Sequence, residues 1–256
     1  MARNPNMTGD DGGIGVAVDA VVFDVFGTVV DWRTGVAGEF QRVGARVGAQ
    51  ADWPALTTEW RRLYPPALLR VVSGQAPWQS LDELHRAMLG DVLAEHGLTE
   101  FTEADRAELV GAWHRLSPWP DSREGLSRLR ETHITATLSN GSVALLIHLV
   151  RAGRLPFDTI LSAELIHSYK PDPQVYLMAA ELLGVAPQRL LMTACHLDDL
   201  HAAADAGLRT AFIPRPLEWG PEHTAPPAPD WVDLTATDIP DLARRLRASQ
   251  APERSA

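Results

Sequence analysis

One residue type is almost absent from this chain, and its single occurrence marks a candidate site. The 256-residue sequence has 23 basic side chains, and Lys170 is the sole lysine among them. Lysine carries a compact ammonium that fits where the planar guanidinium of arginine does not. Lys170 is therefore either a chance surface residue or a cation required at one place, for example beside a carboxylate that must stay ionised.

Polar side chains also follow four apolar segments that have the length of buried strands. These segments run into the sequences FDVFGT, LSNGS, SYKPD and TACHLDD, which contain Asp24, Ser139, Lys170 and Asp199. Ligands bind beyond the carboxyl ends of the strands in an open parallel sheet. Caps and turns explain any one of these residues, but four polar strand ends indicate a functional site. Carboxylates, a hydroxyl and an ammonium are groups that serve nucleophilic and acid–base catalysis.

The elements that must position these residues follow from apolar periodicity. A β-branched apolar run over residues 16–23 is typical of a buried strand. From residue 121 onward, helix-like and strand-like segments alternate, which predicts a parallel α/β sheet covered on both faces. The predicted helices are 121–130, 143–152, 173–183 and 200–206, and the strands between and after them are 134–138, 159–161, 190–193 and 210–213.

The region between the first strand and residue 117 has a different character. Its apolar residues have helical spacing in four blocks, 36–47, 56–72, 81–96 and 103–116. An all-helical insertion at this point predicts a cap over the ligand-binding edge. We therefore predict a doubly wound α/β core at 14–33 and 117–247, a helical cap at 34–116, and flexible tails at 1–13 and 248–256.

Composition excludes several classes of protein. The net charge of −10 argues against nucleic acid or an anionic membrane surface as the main partner. The single cysteine, Cys195, permits neither an intramolecular disulfide nor a cysteine-based metal cluster, so the expected compartment is the cytoplasm. No apolar run is long enough to span a bilayer.

The four motifs together resemble the haloacid dehalogenase superfamily. Its members have a nucleophilic aspartate, a serine or threonine, a lysine and a final acidic motif, and these places are taken here by Asp24, Ser139, Lys170 and Asp199. The superfamily's phosphatases add a general acid two residues after the nucleophile and a magnesium-binding acid five residues before the last aspartate. Those positions hold Phe26 and Ala194. The sequence therefore resembles the L-2-haloacid dehalogenases, which need no metal or other cofactor.

The resemblance implies a hydrolase of short (S)-2-haloacids. Asp24 would attack the carbon next to the substrate carboxylate, form an ester and release halide with inversion. Two anions at about 4 Å repel by about 4 kcal/mol at an effective dielectric constant near 20. Lys170 would offset this repulsion and bind the substrate carboxylate, while Thr28 would fix the rotamer of Asp24.

The same resemblance implies the rest of the site. Ser139 and the backbone N–H groups of Val25, Phe26 and Asn140 would bind the substrate carboxylate. Arg61 follows a tryptophan, as the cap arginine of the family does, and would cradle the halide. Its alternative is a solvated helix face, and Arg62 is the neighbour most easily confused with it.

Three residues keep two interpretations each. Asp199 would either activate the hydrolytic water or position Lys170. His196 replaces an asparagine of the family and would be a water-positioning or basic group, or only a helix cap. Tyr176 would either hydrogen-bond within the site or be a core tyrosine. Phe26, Ala194 and Asp198 also depart from the family's tyrosine, serine and tryptophan.

Other functions stay open at this stage. The same nucleophile would serve fluoroacetate or another 2-substituted carboxylate. A phosphatase of the superfamily and a catalytically silent protein that binds small acids are further alternatives. Family resemblance also suggests a homodimer. Four tryptophans are interpreted as packing residues, namely Trp78, Trp113, Trp119 and Trp231.

Overall fold

A computed structural model describes residues 17–250 of the chain, and its main feature is a parallel sheet. The strands are β1 (Ala20–Phe23), β2 (Val30–Asp31), β3 (Ser117–Pro118), β4 (Ile134–Ser139), β5 (Thr159–Ser162), β6 (Leu190–Ala194), β7 (Arg209–Phe212) and β8 (Leu234–Thr235). Six of them form one sheet in the order β5-β4-β1-β6-β7-β8, with every neighbouring pair parallel. Phe23 pairs with Thr137 and Thr193, so the carboxyl ends of three strands lie at one edge. The predicted α/β sheet is confirmed.

Within residues 17–250, ten α-helices surround or extend this sheet. They are α1 (Trp32–Val47), α2 (Trp53–Arg62), α3 (Tyr64–Val72), α4 (Leu81–Glu95), α5 (Glu103–Val110), α6 (Ser122–Leu129), α7 (Val143–Gly153), α8 (Pro173–Leu183), α9 (Leu197–Asp205) and α10 (Ile239–Gln250). Local sequence sets several boundaries. Ser80 with Glu83 forms a capping box at the start of α4, and Thr102 with Asp105 forms one at the start of α5.

Two of the predicted helical blocks are wrong in their extent. The block 56–72 is two helices that meet at Leu63, because Pro65 and Pro66 have no N–H and fit only in the first turn of a helix. The block 103–116 ends as an α-helix at Val110 and continues as a 3₁₀ turn, Gly111–His114.

The end of the chain also differs from the prediction. The sequence interpretation did not include β8 or α10, and α10 continues to Gln250. A flexible tail that begins at 248 is therefore wrong for residues 248–250. The predicted tails at 1–13 and 251–256 lie outside the described residues.

The helical segment α1–α5 shares an apolar cluster with residues on one face of the sheet. Phe23 of the sheet belongs to this cluster together with Trp60 of the segment and Trp113 of the 3₁₀ turn that follows it, whereas Met192 and Tyr176 belong to a second cluster on the opposite face. The short antiparallel pair of β2 and β3 joins the two ends of the segment. The predicted boundary at 33/34 lies within the first turn of α1, and the division into core and cap domains stays a prediction.

Candidate functional site

Asp24 lies directly after the central strand β1, with its carboxylate held on both oxygens. Lys170 Nζ donates to Asp24 Oδ1 at 2.9 Å, and the Thr28 hydroxyl donates to Oδ2 at 2.9 Å. The residue is only 6% exposed. Burial by itself raises the pKa of Asp24, but the charges of Lys170 and His196 outweigh it and hold that pKa well below its usual range. Asp24 is therefore an ionised carboxylate in a buried site.

Lys170 is a buried cation between two carboxylates. Its ammonium also donates to Asp199 Oδ2 at 2.5 Å, and the residue is 8% exposed, so the surface-lysine alternative is wrong. Burial opposes its charge, yet Asp199 and Asp24 raise the pKa of Lys170 above its ordinary value. The Asn140 side chain holds the Lys170 backbone, since Oδ1 accepts from its N–H at 2.7 Å and Nδ2 donates to its carbonyl at 3.4 Å.

Asp199 has a hydrogen-bond donor on each carboxylate oxygen. Tyr176 Oη donates to Asp199 Oδ1 at 2.7 Å, and Lys170 donates to Oδ2. Burial and the adjacent Asp199 raise the pKa of the Tyr176 hydroxyl, so that hydroxyl stays a donor. Tyr176 is fully buried in the core and also bonds within the site, so both interpretations of it apply.

His196 bridges the nucleophile and a second buried carboxylate. Its Nδ1 lies 3.1 Å from Asp24 Oδ2, and its Nε2 lies 2.8 Å from Glu218 Oε1. Burial opposes protonation, but the neighbouring acidic groups raise the pKa of His196 well above its usual value. Burial raises the pKa of the adjacent Cys195 thiol, so that thiol is uncharged. The raised pKa of His196 is therefore due to the carboxylates of Asp24 and Glu218. His196 precedes α9, but its side chain makes no capping hydrogen bond, so the cap alternative is wrong.

Glu218 is the site residue that sequence reasoning missed. It lies in the loop after β7, and Trp32 Nε1 donates to its Oε1 at 2.9 Å. Arg215 anchors this loop by donating to the Thr28 carbonyl at 2.9 Å and to both oxygens of Asp121 at 2.8 and 2.9 Å. β7 adds a fifth carboxyl end to the edge that the other four motifs share, but Glu218 lies in a loop after this strand, and no sequence pattern specifies the path of that loop.

Gly27 is required where Glu218 approaches the loop after β1. Its φ of +91° lies in the region that favours glycine, and a Cβ there would lie 2.2 Å from Glu218 Oε1. The glycine of the FDVFGT motif therefore makes room for the second carboxylate of the site.

Arg61 is buried among aromatic rings of the helical segment. Its guanidinium carbon lies 4.1 Å from the centroid of Tyr64, 5.5 Å from that of Trp32 and 5.8 Å from that of Trp113. Arg61 is 8% exposed, so the solvated-face alternative is wrong, whereas the neighbouring Arg62 is exposed.

Ser139 and the loop after β1 lie at the same edge of the sheet. The Ser139 hydroxyl accepts from the Gly141 N–H at 3.2 Å, and the Phe26 ring meets Trp113 edge-on with centroids 5.9 Å apart. The roles predicted for Ser139, for the Asn140 N–H and for the N–H groups of Val25 and Phe26 toward a substrate carboxylate stay predictions.

One set of side chains could hold a metal ion. Donor atoms of Cys195, His196 and Glu218 lie within 4.8 Å of one another. A thiol, an imidazole and a carboxylate suit Zn²⁺ better than Mg²⁺, which prefers oxygen ligands. Both ring nitrogens of His196 already contact carboxylates, so these groups form a hydrogen-bonded arrangement without a metal.

The tryptophans interpreted as packing residues differ in their surroundings. Trp113 is fully buried, and the Trp119 indole donates to the Gly27 carbonyl at 2.7 Å. Trp78 packs on His167 with ring centroids 4.6 Å apart. Trp231 is 42% exposed, and its ring meets that of His201 edge-on with centroids 5.4 Å apart, so it packs at the surface and not in the core.

Comparison with known proteins supports the same family as the motifs. Residues 18–207 match the family model described as haloacid dehalogenase-like hydrolase. The (S)-2-haloacid dehalogenase 4A of Burkholderia cepacia is 32% identical over 233 residues, covering 89% of this chain and 96% of that protein. The (S)-2-haloacid dehalogenase 1 of Pseudomonas sp. (strain CBS-3) is 31% identical, covering 90% and 98% of the two chains.

Solved structures agree with this result. The crystal structure of an L-2-haloacid dehalogenase matches with a TM-score of 0.86 and 46% identity, covering 91% of this chain and all of that one. A defluorinating L-2-haloacid dehalogenase matches with the same TM-score and 44% identity, covering 90% and 95%. The chain belongs to the haloacid dehalogenase-like hydrolases. Within the described residues, no helix is long and apolar enough to cross a membrane.

Proposed function

We propose that this protein hydrolyses short (S)-2-haloacids to (R)-2-hydroxy acids through an ester on Asp24. The observation that carries the proposal is the buried, ionised Asp24 carboxylate beside the Lys170 ammonium, 2.9 Å apart. The matching relatives are named as (S)-2-haloacid dehalogenases, which supports this choice of substrate. Displacement of halide needs a nucleophile but no acid to protonate the leaving group, which agrees with Phe26 at the position of the phosphatases' acid.

In the first step, Asp24 Oδ1 attacks the α-carbon of the substrate. We assign the attack to Oδ1 because Oδ2 already contacts both Thr28 and His196. The new carbon–oxygen bond forms opposite the breaking carbon–halogen bond, and halide leaves with the bonding electrons toward Arg61. Lys170 and the Ser139 hydroxyl, with the N–H groups of Val25 and Phe26, hold the substrate carboxylate.

In the second step, water hydrolyses the ester with His196 as the base. Esterification removes the charge of Asp24, one of the two carboxylates that keep His196 protonated, so the pKa of His196 falls. The ring then releases its proton to solvent and, with Glu218 behind it, accepts a proton from the water that attacks the ester carbonyl carbon. The bond to the substrate oxygen breaks, this oxygen takes the proton of the new Asp24 carboxyl group, and the hydroxy acid and the Asp24 carboxylate result. We assign Asp199 to the positioning of Lys170, because both of its oxygens already accept hydrogen bonds.

Access to the site requires a movement of the helical segment. Asp24, Arg61 and Lys170 are each no more than 8% exposed, so little of the nucleophile and of its neighbours is open to solvent in this arrangement. We propose that α1–α5 move away from the sheet edge to admit substrate and close again before the attack, which excludes bulk water.

The test is halide release from each enantiomer of 2-chloropropionate in the presence of EDTA. We expect chloride from the S enantiomer only, in the wild type and not in Asp24→Asn. Release from neither enantiomer, together with magnesium-dependent hydrolysis of p-nitrophenyl phosphate, would establish the phosphatase alternative. Binding of 2-chloropropionate without chloride release over hours would establish the silent binding protein. The expected homodimer and cytoplasmic location stay predictions.

A further inference from the structure

Three neighbouring buried side chains, one of them Arg61, carry nitrogen atoms without a hydrogen-bond partner in the part of the chain that the structure describes. Arg61 Nη1, Trp113 Nε1 and both ring nitrogens of His85 lack a hydrogen-bond partner among the described residues. Buried polar groups in folded proteins are nearly always hydrogen-bonded. Several such groups at one place indicate a ligand that the protein's own atoms do not supply.

These three side chains lie together. The ring of His85 stacks on that of Trp113 with centroids 4.3 Å apart, and both Trp113 and Tyr64 lie against the Arg61 guanidinium. His85 is held from behind, because Trp60 Nε1 donates to its backbone carbonyl at 3.0 Å. We call Arg61, His85 and Trp113 the donor pocket.

The protonation state of His85 defines what it offers. Burial, reinforced by the charge of Arg61, holds the pKa of His85 well below its usual value. A neutral imidazole has one N–H donor and one acceptor nitrogen. The pocket therefore presents the guanidinium, one imidazole N–H and one indole N–H, which together suit a small anion.

Two sets of contacts link the pocket to residues around the nucleophile. Phe26, two residues after Asp24, contacts Trp113 edge-on at 5.9 Å. Trp32 contacts the Arg61 guanidinium and also donates to Glu218, which in turn binds His196. A leaving group displaced by Asp24 thus has the donor pocket close by.

We infer that His85 and Trp113 determine leaving-group specificity, and that the donor pocket suits fluoride in particular. This inference rests on the proposed function, which already assigns the halide to Arg61. Fluoride concentrates its charge in the smallest volume of the halides and depends most on hydrogen-bond donors. Donors that are fixed before the reaction stabilise such a charge as it develops.

The reaction balances without a further reactant. Asp24 Oδ1 forms a bond to the methylene carbon of fluoroacetate while the carbon–fluorine bond breaks, and fluoride takes the electron pair into the donor pocket. Water then adds to the ester carbonyl carbon of Asp24. Glycolate and the free Asp24 carboxylate result, with one proton released to solvent.

The experiment compares fluoride and bromide release in His85→Phe and Trp113→Phe. Both changes keep a ring in place and remove an N–H. We expect fluoroacetate turnover to fall on the order of 10²-fold for each donor removed. Bromoacetate turnover should fall much less, because bromide is larger and depends less on hydrogen bonds. Trp78→Phe is the matched control, since Trp78 also has a buried indole N–H without a partner, but packs on His167.

The outcomes separate this inference from the proposed function. Equal losses for fluoride and bromide, or bromide release with no fluoride release from the wild type, would overturn the inference and leave the dehalogenase intact. No halide from any substrate would overturn the proposed function. In that case a fluoride titration, followed by tryptophan fluorescence, tests whether the donor pocket binds fluoride. A fluorescence response that is weaker in His85→Phe than in the wild type would support the inference. The absence of a response in the wild type would overturn it.

Discussion

Two polar regions of the site differ in how their hydrogen bonds are completed. Around the nucleophile, the carboxylates of Asp24 and Asp199 are hydrogen-bonded by the side chains of Lys170, Thr28, Tyr176 and His196. We call these groups the complete network. In the donor pocket, Arg61, His85 and Trp113 have N–H groups without acceptors. The difference indicates that the nucleophile is fully organised at rest, whereas the leaving-group side is completed only when an anion is present.

This contrast matches the order of events that we propose. A network complete before substrate binds fixes the geometry of attack without reorganisation at the moment of reaction. Hydrogen-bond donors without a partner can stabilise the negative charge of the halide, which develops only as the carbon–halogen bond breaks. Variants that remove one region or the other should therefore fail in different ways.

The largest effect is expected from Asp24→Asn. An amide is a far weaker nucleophile than a carboxylate, so halide release should fall roughly 10⁴-fold or more. Steady-state chloride release measures this, with circular dichroism as the check on folding. Asp198→Asn is the matched control, because Asp198 is an exposed carboxylate beside the same motif. More than a tenth of wild-type activity in Asp24→Asn would refute the assigned nucleophile.

The next largest effect on the rate is expected at Lys170, the cation of the complete network. Lys170→Arg should lower kcat by roughly 10³-fold, because a planar guanidinium cannot take the place of one ammonium between Asp24 and Asp199. Arg62→Lys, the reverse exchange at an exposed position, should leave the rate unchanged. Comparable rates for Lys170→Arg and the wild type would mean that only charge, and not shape, is needed at this position.

A smaller effect should separate the two steps of the reaction. His196→Ala should still form the ester but hydrolyse it on the order of 10²-fold more slowly. Rapid mixing should then show a burst of one halide per active site, followed by slow turnover. Glu218→Gln should behave similarly to a lesser degree. If Asp199→Asn gives the burst and His196→Ala does not, the base has been assigned to the wrong residue.

The smallest effect is on stability and concerns the donor pocket. The folded-state pKa of His85 lies below its unfolded value, so the unfolded chain binds the extra proton. Stability from this group is present above about pH 6.5 and is lost as pH falls toward the folded pKa, by up to about 1.4 kcal/mol per pH unit. His85→Phe should flatten that dependence in denaturant titrations between pH 5 and 6.5. An unchanged slope, equal to that of the exposed His223→Phe control, would contradict a neutral His85.

Much of the complete network could be predicted from sequence, because its residues lie after predicted strands. Asp24 and Ser139 directly follow predicted strands, and Lys170 and Asp199 lie in the segments that leave two further strands. Parallel strands bring their carboxyl ends together. The fold class follows from the same alternation of strands and helices.

The donor pocket and Glu218 could not be predicted in this way. His85 lies among the buried apolar residues of α4, so its sequence context predicts a core residue. Its neighbours Arg61 and Trp113 belong to two other elements of the chain. Glu218 lies in a loop, where no periodicity specifies the path of the chain. Side chains brought together by helix packing or loop paths leave no spacing signal, whereas side chains at strand ends do.

The most direct test of the account is a single turnover in water labelled with oxygen-18, with enzyme in excess over (S)-2-chloropropionate. Attack by Asp24 followed by ester hydrolysis places one labelled oxygen in the Asp24 carboxylate and leaves the first molecule of product unlabelled. Mass spectrometry of the peptide that contains Asp24 reads this directly. An unlabelled peptide together with labelled lactate would mean that water attacks the substrate itself, and the central claim would be wrong.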